Sequence, residues 1–205
     1  MSVAAVVFDF GKVLSHVPTD ESMKRMATLA GVSEDEMLDL AYTGRGEWDR
    51  GTVTGEQHYK AAFERLGKKP PDERTMQELI RLDLESWAVL DPEAKALFEA
   101  IGKTGLKRGI LSNMPHEFLA LARKRFPLVA MADVGIYSCN LQAIKPEPAI
   151  YTELIAALGS KADELVFFDD IQANVDGARV HGIDAYLWEG ALKAKQILNN
   201  LGVAV

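Results

Sequence analysis

Four polar clusters in this chain could do chemistry together: Asp9, Ser112-Asn113, Lys145 and Asp169-Asp170. Three carboxylates, a lysine and a hydroxyl make a site for Mg2+ and a phosphate group. Mg2+ takes hard oxygen ligands, commonly one or two carboxylates with phosphate and water completing the shell. A lysine neutralises phosphate as a point charge. A hydroxyl and turn N–H groups bind the remaining oxygens. The clusters lie far apart in sequence, so the fold must bring them together.

The elements around them imply that it does. Asp9 ends the uninterrupted apolar run Ala4-Ala5-Val6-Val7-Phe8 and is followed at once by Phe10-Gly11. Such a run reads as a strand buried on both faces, as in a parallel sheet. Leu165-Val166-Phe167-Phe168 is a second such strand and ends in Asp169-Asp170. Further strands are expected over 108–111, 134–137 and 185–188. Helices are expected from Pro92 to about residue 103 and over 115–125, 148–158, 174–181 and 191–201. Strand–helix alternation implies an α/β fold, a parallel sheet with helices on both faces. All strand carboxyl ends in such a sheet point one way, toward the crevice where ligands bind.

Between the first strand and the rest, residues 19–87 read as nearly all helical. Ser33 with Glu36 and Thr54 with Gln57 form capping boxes, and Leu79, Ile80, Leu82 and Leu84 carry a later helix. Residues 43–51, punctuated by three glycines, read as a loop, with Arg45 and Arg50 as solvated charges. The expected organisation is a core of residues 1–16 and 89–205 with a helical cap, 17–88, inserted after the first strand. The insertion leaves the sheet at the ligand-binding edge and is positioned to cover the site.

Composition narrows the partners. The 205 residues carry a net charge of −7, which argues against nucleic acid and anionic membrane. No apolar run approaches the roughly 20 residues of a membrane span. Met1-Ser2 leads into the first strand without a basic n-region, and the single Cys139 cannot form an internal disulfide. Both fit a cytoplasmic location. Oligomeric state leaves no trace in the sequence.

Taken in order, the motifs resemble those of the haloacid dehalogenase-like hydrolase superfamily. Asp9-Phe10-Gly11-Lys12-Val13 resembles its first motif and Ile110-Leu111-Ser112-Asn113 the second. Lys145-Pro146-Glu147-Pro148 resembles the third, and Val166-Phe167-Phe168-Asp169-Asp170 with Asn174-Val175-Asp176-Gly177-Ala178 the fourth. The resemblance implies a Rossmann-like core with an α-helical cap. It also implies Asp9 as a nucleophile that forms an aspartyl-phosphate. Mg2+ would be held by Asp9, the Gly11 carbonyl and Asp169, and phosphate by Ser112 and the Asn113 amide. Lys145 would balance charge, and Asp170 would orient Lys145 or bind a metal-bound water. Asn174 reads as a structural turn amide.

One departure matters. Phosphatases of this superfamily usually carry a second aspartate, the general acid and base, two residues after the nucleophile, where this chain has Gly11. Such help is worth about 10²–10⁴-fold. His16 is the nearest substitute in sequence. Alternatively, the leaving group needs little protonation, as in a sugar 1-phosphate. Glu47-Trp48-Asp49-Arg50-Gly51 resembles cap sequences of bacterial glucose-1-phosphatases and of the phosphatase domains of mammalian-type epoxide hydrolases. The former also have glycine at position 11. Trp48 reads as cap packing ahead of substrate stacking, and Arg45 as a possible phosphate or sugar contact. The expected activity is Mg2+-dependent hydrolysis of small phosphorylated metabolites, sugar 1-phosphates favoured. A haloacid dehalogenase and a non-catalytic metabolite-binding protein of the same fold are the alternatives.

Overall fold

The computed structural model describes residues 3–205; the N-terminal reading at Met1 and Ser2 lies outside the described residues. One sheet contains β1 (Ala5–Phe8), β2 (Lys107–Ser112), β3 (Val134–Tyr137), β4 (Leu165–Asp169) and β5 (Asp184–Leu187), in the spatial order β3-β2-β1-β4-β5. Every neighbouring pair is parallel. β1 is central: Phe8 lies beside Ile110 on one side and Phe168 on the other. The chain runs outward through β2 and β3, then returns to build β4 and β5. The order therefore reverses between β1 and β4, where open α/β sheets form their ligand crevice.

Period-two alternation explains why these runs are apolar throughout. Val6 and Phe8 of β1, with Val166 and Phe168 of β4, join the larger apolar cluster on one face. Ala5 and Val7, with Leu165 and Phe167, join the smaller cluster on the other. Phe8 meets Phe98 and Trp188 edge-on, at centroid separations of 5.7 and 6.1 Å.

Five helices follow β1 directly: α1 (Asp20–Ala30), α2 (Glu34–Tyr42), α3 (Arg45–Arg50), α4 (Gly55–Arg65) and α5 (Glu73–Ser86). Then come α6 (Pro92–Ile101), α7 (His116–Arg125), α8 (Pro127–Met131), α9 (Ser138–Leu141), α10 (Pro148–Leu158), α11 (Gln172–Val180) and α12 (Ala191–Asn200). Both expected capping boxes form, at the starts of α2 and α4. Asp91 caps α6 through its side chain, with Pro92 in the first turn. The inserted helices bury Met26, Leu40, Phe63 and Leu79 in the same cluster that covers one face of the sheet.

Residues 43–51 are not the expected loop. Gly44 and Gly51, at φ 81° and 78°, sit immediately before and after α3. Glycines that read as loop punctuation here bracket a short helix, because both flanking positions need the left-handed backbone that glycine adopts without strain.

Candidate active site

The carboxyl ends of β1, β2 and β4 converge as expected. Lys145, on the loop before α10, is buried with its Nζ 2.9 Å from Asp9 Oδ1 and 2.6 Å from Asp169 Oδ2. The same ammonium donates to the Leu111 carbonyl at 2.9 Å. Burial alone would lower the lysine's pKa, but the Asp9 and Asp169 carboxylates outweigh it and the net direction is up. The lysine is therefore a fixed positive charge. Asp9 moves the other way: burial is the largest influence and pushes it up to about 6, Lys145 opposes that shift, and Asp169 adds to it. The nearby Ser112 hydroxyl favours its charged form.

The supporting residues take roles that spacing alone could not assign. Asn113 clamps the Lys145 backbone, its Oδ1 accepting the Lys145 N–H at 2.8 Å and its Nδ2 donating to the Lys145 carbonyl at 3.2 Å. Asn174 Nδ2 donates to Asp169 Oδ1 at 2.9 Å, so it does act structurally, by fixing a site carboxylate. Asp170 does not orient Lys145. Its partner is Lys12, 3.4 Å away, and Asp169 holds Lys145 instead. Asp169 ends β4, whereas Asp170 lies just beyond the strand and turns to Lys12.

The side chains named above, Asp169 apart, line one side of a cavity of about 300 Å³. The inserted helices supply the other side: Tyr42, Arg45, Asp49 and Trp87. Arg45 is not a solvated charge. Its Nη1 donates to both Asp83 oxygens at 3.0 Å, and its Nε lies 3.4 Å from Asp49 Oδ1. Tyr59 completes the network by donating to Asp83 at 2.5 Å. Trp48 is fully buried, stacked on His58, and donates from Nε1 to Glu117 of α7 at 3.1 Å. It packs, and it does not line the cavity. His16 does not line it either: its half-exposed ring lies 3.8 Å from Asp91, so proximity in sequence misled. Arg50 is paired bidentately with Glu147 at 2.8 and 2.6 Å, tying α3 to the start of α10.

Sequence reasoning missed Asp49, Tyr42, Trp87 and Lys12. Trp87 has no motif, yet its ring faces Gly11: a Cβ built on Gly11 would stand 3.4 Å from the indole Cζ3. The indole lies over the place where the side chain of a second aspartate would emerge.

Asp9, Asp169 and Asp170 each offer a carboxylate oxygen, and these oxygens lie within 4.8 Å of one another. Burial and then the Asp169 charge raise the Asp170 pKa. Three clustered carboxylates against Lys145 and Lys12 leave one negative charge uncompensated. Oxygen donors with that balance fit a hard divalent cation.

A family model for haloacid dehalogenase-like hydrolases matches residues 3–182. The chain belongs to that family. It is 31% identical over 201 residues to a phosphatase of Mycobacterium tuberculosis, covering 91% of this chain and 88% of that one. It is 27% identical to mouse bifunctional epoxide hydrolase 2, over 98% of this chain but only 39% of the mouse protein. A hydrolase of Porphyromonas gingivalis described as haloacid dehalogenase-like superposes with a TM-score of 0.73 at 25% identity, over 97% of this chain and 98% of that one. Among the described residues, no helix of this hydrolase is long and apolar enough to cross a membrane.

Proposed function

We propose that this hydrolase is a Mg2+-dependent phosphatase of small phosphorylated metabolites, with sugar phosphates as its substrate class. The observation that carries the reading is Lys145, buried between Asp9 and Asp169 at the crevice. Asp9 is held in place at Oδ1 by Lys145 and the Phe10 N–H, and one of its carboxylate oxygens attacks phosphorus. It forms an aspartyl-phosphate, which water then hydrolyses. Phosphoryl transfer depends mainly on positioning and charge neutralisation, which a buried lysine and a preset carboxylate supply. Ser112 and the Asn113 backbone amide hold phosphate oxygens, while Asn113's side chain keeps Lys145 in place. Asp9, the Gly11 carbonyl and Asp169 would hold Mg2+, with Asp170 beside them; when bound it neutralises phosphate charge. Residues 17–88 act as a cap whose Tyr42, Trp87, Arg45 and Asp49 offer aromatic faces and hydrogen-bonding groups to a sugar. Sugar 1-phosphates are favoured because their leaving oxygen is the more acidic.

Phosphate release from p-nitrophenyl phosphate and a sugar-phosphate panel tests the reading. Activity should require Mg2+, vanish with chelator and vanish in Asp9→Asn, whose melting temperature stays near wild type. Hydrolysis that survives chelation, or a fully active Asp9→Asn, would sink it. Chelator-resistant release of halide from a haloacid would favour the dehalogenase alternative, although three carboxylates repel that anion unless a cation offsets them.

A further inference from the structure

We propose that Asp49, on the cap side of the cavity, is the proton donor and acceptor for the leaving group, a role that position 11 lacks. The proposal rests on the phosphatase reading.

The cavity itself narrows the choice. Its titratable side chains are Asp9, Lys12, Tyr42, Arg45, Asp49, Lys145 and Asp170. Asp9 is the nucleophile, and Lys145 is locked between two carboxylates. Asp170 belongs to the carboxylate cluster proposed for the metal, with Lys12 as its partner. The Tyr42 hydroxyl is pushed upward, chiefly by burial, and so holds its proton too tightly. Arg45 is a permanent cation. Asp49 alone remains, lining the same cavity as Asp9.

Its surroundings suit the task. Asp49 is on α3, whose backbone is pinned to the core: the Asp49 carbonyl accepts from Ser138 Oγ at 2.5 Å. Arg45 meets two carboxylates, but unequally. Asp83 takes two contacts at 3.0 Å and is further held by Tyr59, whereas Asp49 has one at 3.4 Å. The guanidinium is thus neutralised by Asp83, and Asp49 is a surplus carboxylate facing the cavity. The charged groups acting on it are Arg45 and Lys145, which favour its ionised form, and Asp83, which opposes it. Burial is the largest influence and pushes Asp49 up to about 6, the range in which a carboxyl both gives and takes a proton near neutrality.

The chemistry closes. As an Asp9 oxygen bonds to phosphorus, the bond to the ester oxygen breaks, and the Asp49 proton passes to that oxygen to release an alcohol. Asp49, now a carboxylate, takes a proton from water as the water oxygen bonds to phosphorus. The Asp9–phosphorus bond then breaks, returning the Asp9 carboxylate, inorganic phosphate and protonated Asp49.

The test compares wild type, Asp49→Asn and Asp49→Glu, with Mg2+ present, on p-nitrophenyl phosphate and on the 1- and 6-phosphates of one sugar. In Asp49→Asn, kcat/KM for the 6-phosphate should fall about 10²–10⁴-fold, and less for the 1-phosphate. The aryl phosphate, whose leaving group needs no proton, should give a burst of one nitrophenolate per enzyme before slow turnover. Asp49→Glu should recover part of the loss. A Mg2+-induced rise in melting temperature in Asp49→Asn shows that the core is intact. Equal losses on all substrates without a burst, or a higher KM at unchanged kcat, would overturn the role and leave the phosphatase reading standing. No phosphate release by wild type from any substrate would overturn both.

Discussion

At the scale of single residues, Gly11 and Trp87 form a pair that sequence could not link. Gly11 has no left-handed backbone to explain it. Its neighbour does: a Cβ at 3.4 Å from the indole is ordinary contact, but a carboxymethyl group is not. Gly11→Ala should therefore retain most activity and stability. Gly11→Asp should lower the melting temperature and depress kcat/KM, because the carboxylate must displace an apolar ring. Gly11→Asp with Trp87→Ala should recover stability relative to the sum of the single changes, a coupling that a double-mutant cycle measures. Strict additivity would show that the two side chains do not compete for space. Asp9, Lys145 and Asp169 were legible because each follows an apolar run or opens a helix. Asp49 was not, because its setting depends on Arg45, 4 residues away, and on Asp83, 34 residues away on a helix whose packing only the fold reveals.

At the scale of elements, α3 is the joint between the inserted helices and the sheet, and it is where sequence reading failed most plainly. A six-residue helix has too few turns for a periodic apolar signal, and its flanking glycines resemble a loop. The buried apolar strands and the capped helices gave stronger signals and were read to within a few residues. Two contacts hold α3 and the start of α4 in place, and their magnitudes differ. The Arg50–Glu147 pair is partly exposed, so its loss should cost about 1 kcal/mol or less despite bidentate geometry. Glu117 accepts from the buried Trp48 Nε1 and from the Gly55 N–H at 3.1 and 3.0 Å. Glu117→Ala leaves both donors without a partner and should cost about 1–3 kcal/mol. Urea unfolding of Glu117→Ala and Arg50→Ala checks the order, and a larger loss in Arg50→Ala would reverse the assignment of the main anchor.

At the scale of the whole molecule, the buried carboxyls set how stability follows pH. Asp9 and Asp49 are both raised from 3.8 to about 6. A carboxyl whose folded pKa lies above its unfolded value stabilises the fold below the unfolded pKa and loses that contribution as pH rises through the folded one. The metal-free protein should therefore lose stability between about pH 4 and pH 6.5. His58, lowered chiefly by burial, acts oppositely, since its contribution fades as pH falls. Two carboxyls act in one direction and a single imidazole in the other. Mg2+ requires ionised carboxylates, so its stabilising effect should be larger at pH 7.5 than at pH 5.5. Thermal melts with chelator and with excess Mg2+ across this range provide the check. A metal-free melting temperature that climbs steadily from pH 5 to 7.5 would contradict the assignment.

The indole against Gly11 also constrains how this chain could change by successive substitutions. A carboxylate arriving at position 11 while Trp87 remains meets a filled space. Trp87 reduced first leaves a hollow beside the cavity, a milder fault that a later aspartate could fill. The two orders lead to the same pair of residues, but one passes through a crowded protein and the other through a loosened one. Step by step, the gain of a second aspartate runs through position 87 before position 11.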